Sequence, residues 1–415
     1  MREQQSRWQG SNSESVRLRS TSGYPVRRAA SRPLAYRPRG AVRIFGLAVL
    51  AAAFLPVVAY GYAFFSRSDF VPTRVPTVSD ALRWDPSVWP SGRTLDWVIL
   101  DAGWTEPWTA WSGEVHDSPF QTSQEVVPLM AEALAVWGRV ESADIGWRVT
   151  GVEQGSAALK DGRNTIHAEP DPIDPVTGSR APSRAHIWKE RNPSGDFEIV
   201  ECDVQLAQRQ IDWITRDIPS SLDVPIHEFG HCLGLRHTVL HDWYAQNEHG
   251  SVYERDSAAY SAYGRTPIMS YGWFSGGLAE DDAVAASLLR PARDWAPTTG
   301  SISGQVTLRG EPARYVYLMA LKLSDGEIKG GVGAFSSEEG RFVIEGLSPG
   351  DYLIRASPII LPNACQWLVV GGAAAQQDLR DLLSLDPVTV SPGAVASAGM
   401  IDLQPGRHAS SRLDR

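Results

Sequence analysis

The chain has 415 residues, 43% of them hydrophobic and 21% charged, with a formal net charge of −9. This is ordinary composition for folded protein, with length for two or three domains. Within residues 1–43 ten arginines face only Glu3 and Glu14, so the acidic excess falls on the remainder; that argues against a nucleic-acid partner, since phosphates require clustered positive charge.

Residues 1–43, rich in Arg, Ser, Gly and Pro without apolar periodicity, read as a disordered basic cytoplasmic tail. Residues 44–65 carry no charge and are dominated by Ala, Val, Leu, Phe and Tyr, long enough for a transmembrane signal-anchor. The arginines precede this run, so the positive-inside bias leaves the body outside: a single-pass protein of the cell membrane, extracytoplasmic beyond the anchor. The rival is a signal peptide cut after Ala59-Tyr60-Gly61 or Gly61-Tyr62-Ala63, which yields a secreted protein. Residues 66–93, with several prolines, form a linker or a short pro-segment.

Residues 94–295 carry a first globular pattern. Leu95 to Leu100 is a strand; Gln124 to Val140 places Leu129, Ala133, Val136, Trp137 and Val140 at helical spacing. Ile145 to Val149 and Asn164 to His167 are further strands, and Phe197 to Leu206 alternates apolar and polar residues. A helix starts near Asp223, with Pro225 in its first turn, and Gly234 ends it. Leu278 to Leu289 is a last helix, with Glu280, Asp281 and Asp282 at its N-terminus, where negative charge is favoured. After Pro291 the texture changes to short strands between Gly and Pro: Ser303 to Leu308, Arg314 to Leu321, Arg341 to Ile344 and Tyr352 to Ala356. Residues 299–403 therefore read as a small β-sandwich and 404–415 as a tail. No internal repeat is present. The three cysteines, Cys202, Cys232 and Cys365, allow at most one intramolecular bridge; Cys202 with Cys232 is the pair to test, against the plainer reading of all three as small buried hydrophobes.

The chemistry concentrates at H-E-F-G-H-C-L-G-L-R-H, His227 to His237. Residues four apart share a helix face, so His227 and His231 can address one Zn2+ about 2.0–2.1 Å from each nitrogen. Gly234 can take the left-handed conformation that turns the chain back and brings His237 to the ion. Three neutral imidazoles leave an open position for water, and Glu228 beside the first ligand is placed as its general base. Five fixed positions of this kind arise by chance on the order of once in 10⁵ chains of this composition.

This string resembles the zinc motif of the metzincin metallopeptidases. P-I-M-S-Y-G then supplies their methionine turn, with Met269 as an apolar floor under the ligands, and Tyr271 matches the serralysin and astacin branches, where it ligates the metal or steadies the oxyanion. D-G-R-N-T-I at Asp161, I-V-E-C-D-V-Q-L at Ile199 and L-A-E-D-D-A-V-A-A-S-L-L ending at Leu289 are similar to matrixins, in which an aspartate of the D-D pair, here Asp281 or Asp282, buttresses the methionine turn. No cysteine switch is present, and Thr238 stands where matrixins usually have Ser. The stretches S-G-Q-V-T-L near Ser303 and G-R-F-V-I-E-G-L-S-P-G-D-Y-L-I-R-A from Gly340 resemble the prealbumin-like domain appended to carboxypeptidases.

The resemblance implies an α+β fold: a metzincin-type domain with a mixed twisted sheet and long helices, then a small all-β sandwich, behind the N-terminal transmembrane helix. It also implies an edge strand near Ile199 to Leu206 pairing with an extended polypeptide substrate, and selectivity from a pocket where Trp273 and Phe274 are candidate lining residues. His167, Asp171 and Asp174 are candidates for a structural ion such as Ca2+, against the plainer reading of a polar loop. The leading expectation is a zinc endopeptidase with Glu228 as base; the alternative is a non-catalytic extracytoplasmic binding protein with structural zinc and a partner-binding sandwich. Substrate and oligomeric state are not written in the sequence.

Overall fold

The computed structural model describes residues 59–60, 64–65, 67, 78–109, 114–155, 160–169, 183–207, 222–238, 267–269, 277–357, 379–380, 382–384 and 386–406. Residues 55–415 make one compact unit.

The first sheet has five strands: β1 (Thr94–Leu100), β2 (Gly146–Glu153), β3 (Asn164–Glu169), β4 (Arg184–Arg191) and β5 (Phe197–Ala207), in the order β2-β1-β3-β5-β4. All neighbours run parallel except β4, which pairs antiparallel with β5 from Arg184↔Gln205 to Arg191↔Phe197. Three helices accompany it: α1 (Val127–Gly138), α2 (Asp223–Leu233) and α3 (Glu280–Leu289). α1 buries Met130, Ala133, Leu134 and Trp137, an i, i+3, i+4, i+7 stripe that faces the core. α2 is buried along nearly its whole length, and its carbonyls are met by two indoles: Trp137 Nε1 donates to Ile226 O (2.8 Å) and Trp84 Nε1 to Cys232 O (2.7 Å). A buried Trp needs such an acceptor for its N–H. The disulfide Cys202–Cys232, with Cα atoms 5.7 Å apart, ties α2 to β5; Cys365 lies outside the described residues.

Two sheets follow. β7 (Tyr317–Ser324), β8 (Glu327–Phe335), β10 (Gly350–Ser357) and β11 (Val388–Val390) belong to one, with β7 between β8 and β10. β6 (Gly300–Leu308), β9 (Arg341–Leu347) and β12 (Val395–Leu403) make the other, with β6 central. Alternate side chains such as Ile302, Phe342, Ile344, Leu318 and Val332 meet between them, as in a sandwich. One apolar core runs through both parts of the unit.

Two expectations of fold class are corrected. The helices have 12, 11 and 10 residues, so the described chain is mostly β and has no long helices. The apolar periods that signal helices are short, while strands continue from residue 94 to 403. Nor is there an N-terminal transmembrane helix among the described residues, where no helix is long and apolar enough to cross a membrane. The described end of the apolar run is extended: Ala59–Tyr60 pairs antiparallel with Phe335 and Ala334 of β8, and Phe64 bridges to Leu235 and is fully buried. Phe64 is thus covered by protein.

Candidate metal centre

α2 positions the first two histidines. His227 Nδ1 donates to Ile268 O (2.6 Å) and His231 Nδ1 to Leu235 O (2.8 Å), which fixes the orientation of each ring. At the helix end Gly234 has φ 105°, and its N–H bonds back to His231 O (2.9 Å). A side chain is excluded there twice, by the left-handed backbone and because a Cβ would stand 2.5 Å from Leu82 O. The reversal delivers His237: its ring centroid lies 4.9 Å from that of His227 and 4.7 Å from that of His231.

The fit to a metal can be judged from these atoms. The three imidazoles offer ligand nitrogens all within 4.8 Å of one another, and His227 Nε2 lies 3.0 Å from His237 Nε2. Two nitrogens sharing a tetrahedral zinc stand about 3.3 Å apart, given bonds near 2.05 Å. Burial pushes His227 down to about 4; burial, then the charge of His227, pushes His231 down to about 3. Both rings are therefore neutral at neutral pH, the form that binds metal. Among the described residues this is the one His, Cys, Asp or Glu group with ligand spacing of this kind.

Glu228 is buried on the same helix, and burial lifts its carboxyl to about 8 against the opposing effects of the Ala185 N–H and the Arg184 charge. Ala185 belongs to β4, which lies beside Glu228. The expected substrate-pairing edge at Ile199 to Leu206 is corrected accordingly: β4 occupies the open side of β5. β4 was missed in the sequence because its residues are evenly half-buried, with no period-2 contrast to detect.

Below the histidines, Met269 is buried against the face of α2 where Gly230 lacks a side chain, beside Trp137. Asp282 holds this turn, accepting the backbone N–H groups of Ile268 (2.8 Å), Met269 (3.2 Å) and Ala279 (2.8 Å). Burial raises its carboxyl to about 7. Asp281 instead accepts Thr238 Oγ1 (3.1 Å) and the Gly333 N–H (2.9 Å), and burial raises it to about 8. The sequence named both aspartates but not Thr238 or Gly333 as their partners, since nothing in the local pattern joins residue 238 to 333. Tyr271, Trp273 and Phe274 lie outside the described residues, as do Asp171 and Asp174 of the suggested ion loop; His167 is buried in β3.

No family model matches the chain and no curated protein matches it. Solved structures that match include a Bacillus anthracis TIE protein (12% identity, 26% of this chain and 17% of that one, TM-score 0.17). They also include the minor pilin of Streptococcus agalactiae (12%, 26% and 46%, TM-score 0.17) and a protein from Pseudomonas aeruginosa described as carbohydrate binding (13%, 26% and 90%, TM-score 0.14). The chain spans less than half the length of the first two, and at these scores the likeness bears on neither activity nor partner. None of this indicates a metzincin, matrixin-like or other protease family, so membership read from the motif is corrected: the similarity is confined to short strings, and no chain-wide relationship carries it.

Proposed function

We propose that His227, His231 and His237 bind Zn2+ and that the site hydrolyses peptide bonds of a polypeptide substrate. The observation that carries this is the convergence of three imidazoles, with the carboxyl of Glu228 on the residue adjacent to the first. Held by His227, His231 and His237, zinc would act as a Lewis acid and lower the pKa of water. A cation held there would favour the ionised form of Glu228, countering the burial that raises it. Glu228 then accepts a proton from the attacking water at its carboxylate and passes it to the departing amine. The Ile268 and Leu235 carbonyls keep the His227 and His231 rings in the ligating tautomer throughout. The Cys202–Cys232 bridge supports a site outside the cytoplasm, where thiols oxidise. The test is Glu228→Ala in zinc-loaded protein: the variant keeps one zinc per chain and loses peptide hydrolysis, whereas full activity in it defeats the mechanism.

A second reading is a non-catalytic extracytoplasmic binding protein with structural zinc. It is favoured by the sandwich, whose strand β12 pairs with β6 and exposes Val395 and Met400. Zinc bound at one equivalent with no cleavage across a broad peptide library would select it.

A further inference from the structure

Three parts of the chain meet behind His237. α3 packs on the sandwich: Glu280 lies against Gly330 of β8, and Val284 and Trp295 close on Gly346 of β9. At the centre of that contact Asp281 is 1% exposed and uses both oxygens across the boundary. Oδ1 accepts the Gly333 N–H of β8 (2.9 Å) and Oδ2 accepts the Thr238 hydroxyl (3.1 Å). Thr238 follows His237 directly, is itself buried, and donates its N–H to Met269 O (2.9 Å). The residue after the third histidine is thus tied by its hydroxyl to the sandwich and by its backbone to the turn whose Ile268 carbonyl orients His227.

From this we infer that the sandwich is part of the metal centre: the Gly333–Asp281–Thr238 chain makes β8 a positioning element for His237. This rests on the reading of the three histidines as a zinc site. His237 reaches the ion from beyond a helix end, so no helical backbone fixes it as α2 fixes His227 and His231. Its direction depends on what holds residue 238. Groups that orient a metal ligand from behind typically change affinity 10–100-fold when removed. The N-terminal segment adds to the same clamp. It pairs with β8 through Ala59–Tyr60 and then donates the Phe65 N–H to Gly234 O (3.0 Å), fixing the reversal ahead of His237.

The experiment uses the whole chain and measures zinc dissociation constants by competition with a chelator, with thermal melting of each variant alongside. Thr238→Val removes the hydroxyl and should weaken zinc 10–100-fold; Thr238→Ser should restore it to within threefold. Asp281→Ala should weaken zinc to the same degree, and the double variant should be no weaker than the singles, because both break one chain of bonds. If Asp281→Ala does not fold, Thr238→Val and its serine rescue decide alone. In the native protein, withdrawing zinc should speed hydrogen exchange at the Gly333 amide while leaving interior amides of β6 unchanged, a response that a purely structural bond would not give. Unaltered zinc affinity in folded Thr238→Val overturns the inference while the site reading stands. A native chain that takes up no zinc overturns both.

Discussion

Replacing Gly234 by alanine should damage the metal site more than the size of a methyl group suggests. Gly234 has φ 105°, and holding a non-glycine residue in the left-handed region costs about 1–3 kcal/mol. Its new Cβ would also stand 2.5 Å from Leu82 O, a backbone atom that cannot swing aside because the Leu82 N–H is held by Phe65 O. Overpacking of this kind adds about 1–3 kcal/mol, so the whole effect is roughly 2–6 kcal/mol. The control is Gly92→Ala, at φ 70° with nothing within 4 Å of the Cβ, which carries the backbone term alone. Urea midpoints of both variants, with and without zinc, separate the terms. Gly234→Ala should also weaken zinc, because relief of the clash moves Leu235 O, the acceptor of His231 Nδ1, while Gly92→Ala should bind zinc as the native chain does. Equal destabilisation of the two variants, or unchanged zinc affinity in Gly234→Ala, would refute the reasoning.

Three further outcomes are expected. Opening the Cys202–Cys232 bridge by paired serine substitutions, across a separation of 30 residues, should lower stability by about 3.6 kcal/mol on the chain-entropy model, read by denaturant titration in non-reducing buffer. Protons should reach His227 and His231 only near pH 4, because burial holds both rings neutral above it; a histidine-resolved NMR titration of the metal-free chain in which either ring protonates near pH 6.5 would contradict this burial. His167 is pushed down to about 4 by burial, then by the charge of His186. The unfolded chain therefore binds the extra proton first, and stability should fall as pH drops from about 6.5 to about 4, by about 3 kcal/mol. Subtracting the profile of His167→Gln isolates that component, and identical profiles would remove it.

What was legible in the sequence follows from range. The zinc string could be read because its geometry is local: i, i+4 spacing, one glycine and a third histidine within eleven residues. The helix at Asp223, its end at Gly234 and the alternating β5 were legible for the same reason. β4 was not, because a strand half-buried on both faces leaves no alternation. Nor was the role of Thr238, whose hydrogen bonds reach Met269, 31 positions on, and Asp281, 43 positions on. The resemblance named an aspartate under the methionine turn without choosing. The geometry divides the work, with Asp282 under Ile268 and Met269 and Asp281 between Thr238 and the sandwich.

The apolar run before Arg67 shows what hydropathy alone leaves open. Length, absence of charge and the arginines ahead of it are the features of a membrane anchor, but they measure only a preference for leaving water. Lipid and protein core satisfy that preference equally. They differ in what the backbone requires: in lipid every N–H and C=O must pair within the segment, which forces a helix, whereas in a protein a neighbour can supply the partner. At its described end this run takes the second course. The Phe65 N–H goes to Gly234 O, its carbonyl accepts from Leu82, and Ala59–Tyr60 takes a place beside β8. Phe64 and Phe65 are thereby committed to the reversal that carries the chain from His231 to His237. Phe65 stands edge-on to the His231 ring, 6.0 Å between centroids. Replacing Phe64 and Phe65 together by serine should therefore destabilise the fold and loosen zinc in one step, measured by melting and chelator competition; a variant with native melting and native zinc affinity would mean that this segment only rests on the domain.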